Sequence, residues 1–82
     1  MFYTYILQSE TSNRYYIGST KDPSRRVIEH NRGKSNSTKP YRPWKLVYCE
    51  CFQTLAEARQ REQEIKSWKS HEYLRKTLGL NA

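Results

Sequence analysis

The stretch from Tyr15 to His30, YYIGSTKDPSRRVIEH, restricts the fold more than any other part of the chain. Tyr15, Tyr16 and Ile17 favour an extended strand. Gly18 interrupts them, as a glycine does in a strand where a bulge forms or another group comes close. Asp22-Pro23 then opens a helix: the carboxylate caps free N–H groups, and proline suits the first turn because its missing donor has no partner there anyway. Arg26 and His30 are four residues apart and share one helix face. A strand must therefore give way to a helix within sixteen residues, with a tyrosine, a glycine, an arginine and a histidine at the junction.

The flanking segments supply partners for both elements. Phe2 to Gln8 reads as a strand with Tyr3, Tyr5 and Leu7 on one face and Phe2, Thr4 and Ile6 on the other. Both faces are apolar enough for a central strand covered on two sides. Ser9 to Asn13 is a polar turn, and Arg14 to Ser19 returns as the second strand of an antiparallel hairpin. The first helix runs from Pro23 to about Asn31 with Val27 and Ile28 as core contacts, and Gly33 is its end signal. Trp44 to Phe52 is a third strand. Strict alternation puts Trp44, Leu46, Tyr48 and Phe52 on one face and Val47, Cys49 and Cys51 on the other, with Glu50 interrupting the first set near an edge. Thr54-Leu55-Ala56-Glu57 matches a capping box, and the helix behind it extends to about Trp68. Its apolar stripe is Leu55, Ala58, Glu62 and Ile65, so Glu62 projects from the face that packs. Ser70 caps a last helix, His71 to Leu78, with Leu74 and Leu78 inward and His71 at the surface. The order β-β-α-β-α-α predicts an α/β (α+β) fold in which helices flank a three-stranded antiparallel sheet, as a single domain over residues 1–82.

Fifteen Lys and Arg against eight Asp and Glu leave +7 on a small body, which favours a polyanionic partner. Arg32 to Pro43 carries Arg32, Lys34, Lys39 and Arg42 with no acid, and reads equally as a solvated connector or as an arm that tracks phosphates. Cys49 and Cys51 are too few for a structural zinc site and poorly placed for a disulfide, so they read as free thiols in a reducing compartment. No apolar run reaches the length of a membrane span and no leader is visible, which predicts a soluble, cytoplasmic protein.

The ordered set Tyr5, Tyr16-Ile17-Gly18, Arg26, His30 and Glu62 resembles the GIY-YIG nuclease domain over roughly Phe2 to Leu78. The closest likeness is to small single-domain members similar to the nuclease domain of the excinuclease C subunit. The first triplet, Tyr3-Thr4-Tyr5, lacks the family's glycine and isoleucine and keeps its tyrosine. The resemblance implies a metal-dependent DNA endonuclease, structure-selective or weakly specific, with a role in repair or recombination. Glu62 would hold Mg²⁺ (or Mn²⁺), and no small-molecule cofactor is implied. Without the resemblance, Glu62 reads as an acid at the stripe's edge, reaching water or an arginine. Arg26 would bind the phosphate with its planar fork. Tyr5 would take the proton from water, which a phenol titrating near ~10 does only beside positive charge such as Arg26, Lys21 or the metal. Tyr16 would hold the water or phosphate, and His30 would donate to the phosphate or relay a proton. Each tyrosine alone reads as core packing, and each of Arg26 and His30 alone as a helix-surface residue. Lys21, Arg25, Arg32, Lys34, Lys39 and Arg42 are the expected nucleic-acid contacts. Some members carry an asparagine beyond the glutamate; none follows Glu62 here before Asn81. The competing expectation is a non-catalytic nucleic-acid-binding module, which has no need of Glu62. Oligomeric state is left open.

Overall fold

The computed structural model describes residues 1–80, so Asn81 lies outside it. The elements run β1 (Phe2–Ser9), β2 (Tyr15–Thr20), α1 (Pro23–Asn31), a 3₁₀ turn (Lys39–Tyr41), β3 (Trp44–Phe52), α2 (Leu55–Lys66) and α3 (His71–Leu78). The sheet is antiparallel in the order β2-β1-β3, so the chain's first strand is its centre and β2 and β3 are its edges. Residues Thr4 to Leu7 are buried on both faces, as the two-sided apolar pattern of β1 requires.

Two cores result, one on each face. Tyr5, Leu7 and Trp44 pack with Tyr16, Val27 and Tyr41 beneath α1. Ile6, Ile65 and Leu74 pack with Tyr15, Ile17, Val47, Tyr48, Trp68 and Leu78 beneath α2 and α3. Thr4 adds a polar tie on the second face, its hydroxyl donating to the Ala58 carbonyl at 2.6 Å. Asp22 accepts from the Arg25 N–H and starts α1, and the Thr54–Glu57 capping box starts α2. Asn31 fastens the end of α1 to the start of β3: its side-chain oxygen accepts from the Trp44 N–H at 2.6 Å and its amide donates to the Trp44 carbonyl at 3.0 Å.

Three details differ from the sequence expectation. Ile28 is 50% exposed, and the buried residue of α1 is His30. A nine-residue helix lying over one end of a small sheet presents a narrow seam, which Val27 and His30 fill. Helix α2 ends at Lys66 rather than near Trp68, where Ser67 takes over as its C-cap. The faces of β3 are also exchanged along its length. Ile6 pairs with Tyr48 and Leu7 with Leu46, leaving Val47 as the extra residue of a bulge. Beyond it the alternation inverts. Trp44 and Leu46 therefore share the Tyr5 face with Cys49 and Cys51, whereas Tyr48 and Phe52 lie on the Ile6 face. Glu50 on that second face accepts from Tyr48 at 2.7 Å and from Arg61 at 3.1 Å. Among the described residues no helix is long and apolar enough to cross a membrane.

Gly18 pairs with Tyr5 across β1 and β2, and a methyl group there would stand 2.7 Å from the Tyr5 hydroxyl oxygen and 2.8 Å from its ring carbon. Gly18→Ala is expected to destabilise the domain by about 1–3 kcal/mol through forced displacement of the ring. Urea denaturation is the measurement, and a midpoint equal to wild type would mean that the ring moves aside at no cost.

Candidate active site

The site is assembled where Tyr5 crosses Gly18. Tyr5 is 1% exposed, and its hydroxyl lies 3.3 Å from Nε2 of His30. His30, also 1% exposed, is set over the sheet by α1, and its Nδ1 is 2.9 Å from the Thr38 hydroxyl. The Tyr16 ring centre is 4.6 Å from that of His30 and 6.2 Å from that of Tyr5. Arg26, one helical turn before His30, stands beside the Tyr5 phenol, where its charge bears on the hydroxyl. Its guanidinium also donates to Glu29 at 2.6 Å.

Glu62 approaches from the other side of the sheet. Its carboxylate accepts from the Ser19 hydroxyl at 2.6 Å and from the Lys66 ammonium at 2.5 Å, and its side chain is 15% exposed. Tyr5 and Glu62 thus reach the free edge β2 from opposite faces at neighbouring residues, Gly18 and Ser19. The Glu62 charge is near enough to act on Tyr5. All five residues singled out from the sequence, Tyr5, Tyr16, Arg26, His30 and Glu62, therefore surround one short segment of β2.

Burial dominates the electrostatics. It pushes the Tyr5 phenol up to about 12, and Tyr16 and Glu62 act in the same sense. Arg26 opposes this, as expected from the sequence, but is outweighed. Lys21, the other cation expected to help, has its ammonium over the Phe2 ring at 5.5 Å. At neutral pH the phenol is protonated. Arg26 is held even more firmly in its charged form, by Tyr5 first and by Glu29, against the effect of burial. Burial, and then Arg26, lowers the pKa of His30, with Glu29 opposing, so the imidazole is neutral at pH 7.

Of the six expected nucleic-acid contacts, Arg32 and Lys34 flank Gly33, against which the side chains of Lys39 and Arg42 lie. Lys34 lines a recess of about 240 Å³ with Arg26, Glu29, His30 and Ser35, directly beside the site. Lys39 and Arg42 line a separate, open depression with Asn31, Pro40 and Pro43. Arg42 donates to the Lys39 carbonyl at 2.9 Å, so part of its donor capacity serves the loop. Arg25 is largely exposed and paired with Glu29, while Arg32 and Lys21 are exposed at the end of α1 and just beyond β2. Sequence reasoning missed Thr38, Ser19, Glu29 and Lys66, the four side chains that hold the site residues. Only Glu29 and Lys66 carried a signal, as the i,i+3 and i,i+4 partners of Arg26 and Glu62.

No group of three or more His, Cys, Asp or Glu that could hold a metal is found among the described residues. A divalent ion of the magnesium type needs less, one carboxylate with water filling the remaining positions. Glu62 with the Ser19 hydroxyl offers a hard-oxygen set of that kind. Lys66, whose side chain is half exposed, would have to yield the second carboxylate oxygen.

Comparison with known proteins agrees with the architecture. The model of the GIY-YIG catalytic domain matches residues 1–76. A UPF0213 protein from Staphylococcus saprophyticus is 40% identical over 74 residues, which are 89% of each chain. One from Haloquadratum walsbyi is 43% identical over 67 residues, 80% of this chain and 74% of that one. The solution structure of a UPF0213 protein from Bacillus halodurans superimposes with a TM-score of 0.58 at 31% identity, covering 96% of this chain and 84% of the other.

The lowered pKa of His30 has a consequence for stability. The groups facing it are Tyr5 from β1, Tyr16 from β2, Arg26 and Glu29 from α1 and Lys34 from the loop. Above the ordinary histidine value of about 6.5, both folded and unfolded chains hold the ring neutral and its contribution is complete. As the pH falls through that value the unfolded chain takes the proton first, and stability is lost. The melting temperature of the wild type is expected to fall more steeply between about pH 7.5 and 5.5 than that of His30→Gln. Parallel slopes would contradict it.

Proposed function

Because the chain belongs to the GIY-YIG catalytic domain family, a family of nuclease domains, we propose that it is a metal-dependent endonuclease that hydrolyses phosphodiester bonds in DNA. The observation that carries this reading is the convergence of Tyr5, Tyr16, Arg26, His30 and Glu62 around Gly18 and Ser19. Glu62 would hold Mg²⁺ or Mn²⁺, which when bound supplies Lewis-acid stabilisation of the leaving oxygen. Arg26 binds the scissile phosphate, its guanidinium permanently charged and exchanging Glu29 for phosphate oxygens. The Tyr5 hydroxyl and the Tyr16 ring would bound the position of the attacking water. Gly18 leaves the room that the Tyr5 hydroxyl occupies.

With a net charge of +7, DNA contacts would fall mainly on phosphates and carry little sequence information. Such contacts would suit structure-selective or weakly specific cleavage, of the kind used in repair or recombination. A second reading has an observation of its own. Glu62 is already paired with Ser19 and Lys66, and Arg26 with Glu29, as in a module that binds nucleic acid without cutting it.

Incubation with nicked, branched and single-stranded DNA, with and without Mg²⁺, separates the two. Cleavage that requires Mg²⁺ and disappears in Glu62→Ala, while DNA binding is kept, is the expected result. Binding without cleavage of any of these substrates by the wild type would favour the non-catalytic module. In either case affinity is expected to fall at least about 10-fold between about 50 and 200 mM salt, read by fluorescence anisotropy. A flat salt profile would remove phosphate contacts from the account.

A further inference from the structure

The side chain that fixes the chemistry of His30 comes from the irregular loop. Thr38 is 2% exposed, and its backbone is held at three points: its N–H donates to the Ser35 carbonyl at 3.2 Å, and its carbonyl accepts from the Trp44 indole at 2.8 Å and from the Tyr41 N–H at 3.1 Å. Its hydroxyl has two partners, Nδ1 of His30 at 2.9 Å and the Ser35 carbonyl at 3.4 Å. A carbonyl only accepts, so the hydroxyl can give its proton to Ser35 and leave its oxygen to accept from Nδ1–H. The far end of the chain agrees. Arg26 stands beside the Tyr5 phenol and carries donors only. Among the described residues, the one acceptor at hydrogen-bond distance from the Tyr5 hydroxyl is Nε2 of His30, at 3.3 Å. A neutral ring with the proton on Nδ1 and a bare Nε2 satisfies every member of the chain. The opposite tautomer leaves the Tyr5 proton without an acceptor among the described residues.

We propose that Thr38 is a positioning residue that locks His30 in the Nδ1–H tautomer, so that Nε2 is the terminal acceptor for the proton of the Tyr5 hydroxyl. The catalytic consequence rests on the nuclease reading above; the tautomer does not. Water gives a proton to the Tyr5 oxygen as that oxygen passes its own proton to Nε2. The hydroxide left behind forms the new bond to phosphorus. The bond to the leaving oxygen breaks with its electron pair, and that oxygen takes a proton from solvent. His30 then returns its proton by the reverse route. A phenol held at about 12 is a poor base by itself, but it serves here because it exchanges one proton for another and never becomes a free phenolate. The nitrogen that carries the proton in a histidine is set by what its other nitrogen bonds to, and a misplaced tautomer disables an otherwise intact site.

The test combines ¹⁵N-imidazole NMR of the free protein with kinetics. In the wild type, His30 is expected to show a protonated Nδ1 and a bare Nε2. Thr38→Val, which keeps the volume and removes the hydroxyl, is expected to shift the ring toward the Nε2–H form. Thr38→Ser restores the wild-type spectrum. On a cleavable substrate, Thr38→Val lowers kcat about 10-fold or more at unchanged KM, and Thr38→Ser recovers most of it. A wild-type spectrum showing Nε2–H overturns the proposal outright, even if the valine variant fails to fold. An unchanged tautomer in Thr38→Val overturns the role of Thr38. A changed tautomer with wild-type kcat overturns the relay. If the wild type has the Nδ1–H form, Thr38→Val changes it and no DNA is cut, the nuclease reading fails and the tautomer lock stands.

Discussion

The close approach of the Tyr5 ring to the backbone of Gly18 is the contact on which the rest of this small domain depends. It sets a large aromatic side chain on the innermost strand directly over the cross-strand residue that has no side chain of its own. With the ring in that position, its hydroxyl faces α1 and defines where a histidine from that helix can be satisfied. Ser19, the next residue along β2, then faces α2 and meets a carboxylate from that side. One tyrosine–glycine pair thus links the two cores and brings the two helices to a common point on the sheet's edge. A domain of this size buries a modest core, and the candidate site is drawn from part of that core.

Much of this was legible in the chain. The element order, the strand-to-helix junction at Gly18 and Asp22-Pro23 and the capping box at Thr54 follow from local patterns that the structure keeps, whereas the grouping of Tyr5, Tyr16, Arg26, His30 and Glu62 was legible only through the resemblance to the GIY-YIG domain. The faces of β3 did not, because a bulge at Val47 is decided by pairing with a strand some forty residues away and leaves no mark on the alternation itself. Ile28 misled because periodicity says which residues share a face but not how wide the buried seam is. Thr38 was invisible for a related reason. A threonine among serines and lysines looks like any solvated loop residue, and only the return of the loop beneath Trp44 and against His30 makes it a buried partner.

The charged residues of the site illustrate a balance between holding and releasing. Arg26 and Glu62 each have an internal counter-ion on their own helix, one turn away. Such pairs are weak when exposed to water, on the order of 0.2–1 kcal/mol. They hold the two side chains at the sheet edge and would yield to a stronger competitor such as a phosphate. The contacts of His30 are different in kind, because both ring nitrogens are engaged in a water-poor setting where an unmade hydrogen bond costs about 1–3 kcal/mol. The ion pairs can exchange partners; the histidine cannot easily do so.

The bulge at Val47 also bears on the exposed edge of the sheet. With the β2 edge given over to the site, β3 is the second open edge, a nine-residue strand that presents unpaired backbone groups and an exposed Leu46. A long, flat edge of this type is a template for another chain to add to, and fibre growth starts in that way. An extra residue near its middle breaks the regular spacing of donors and acceptors and twists the strand out of line. The irregularity that defeated the simple reading of β3 thereby also makes that edge a poorer template for another strand.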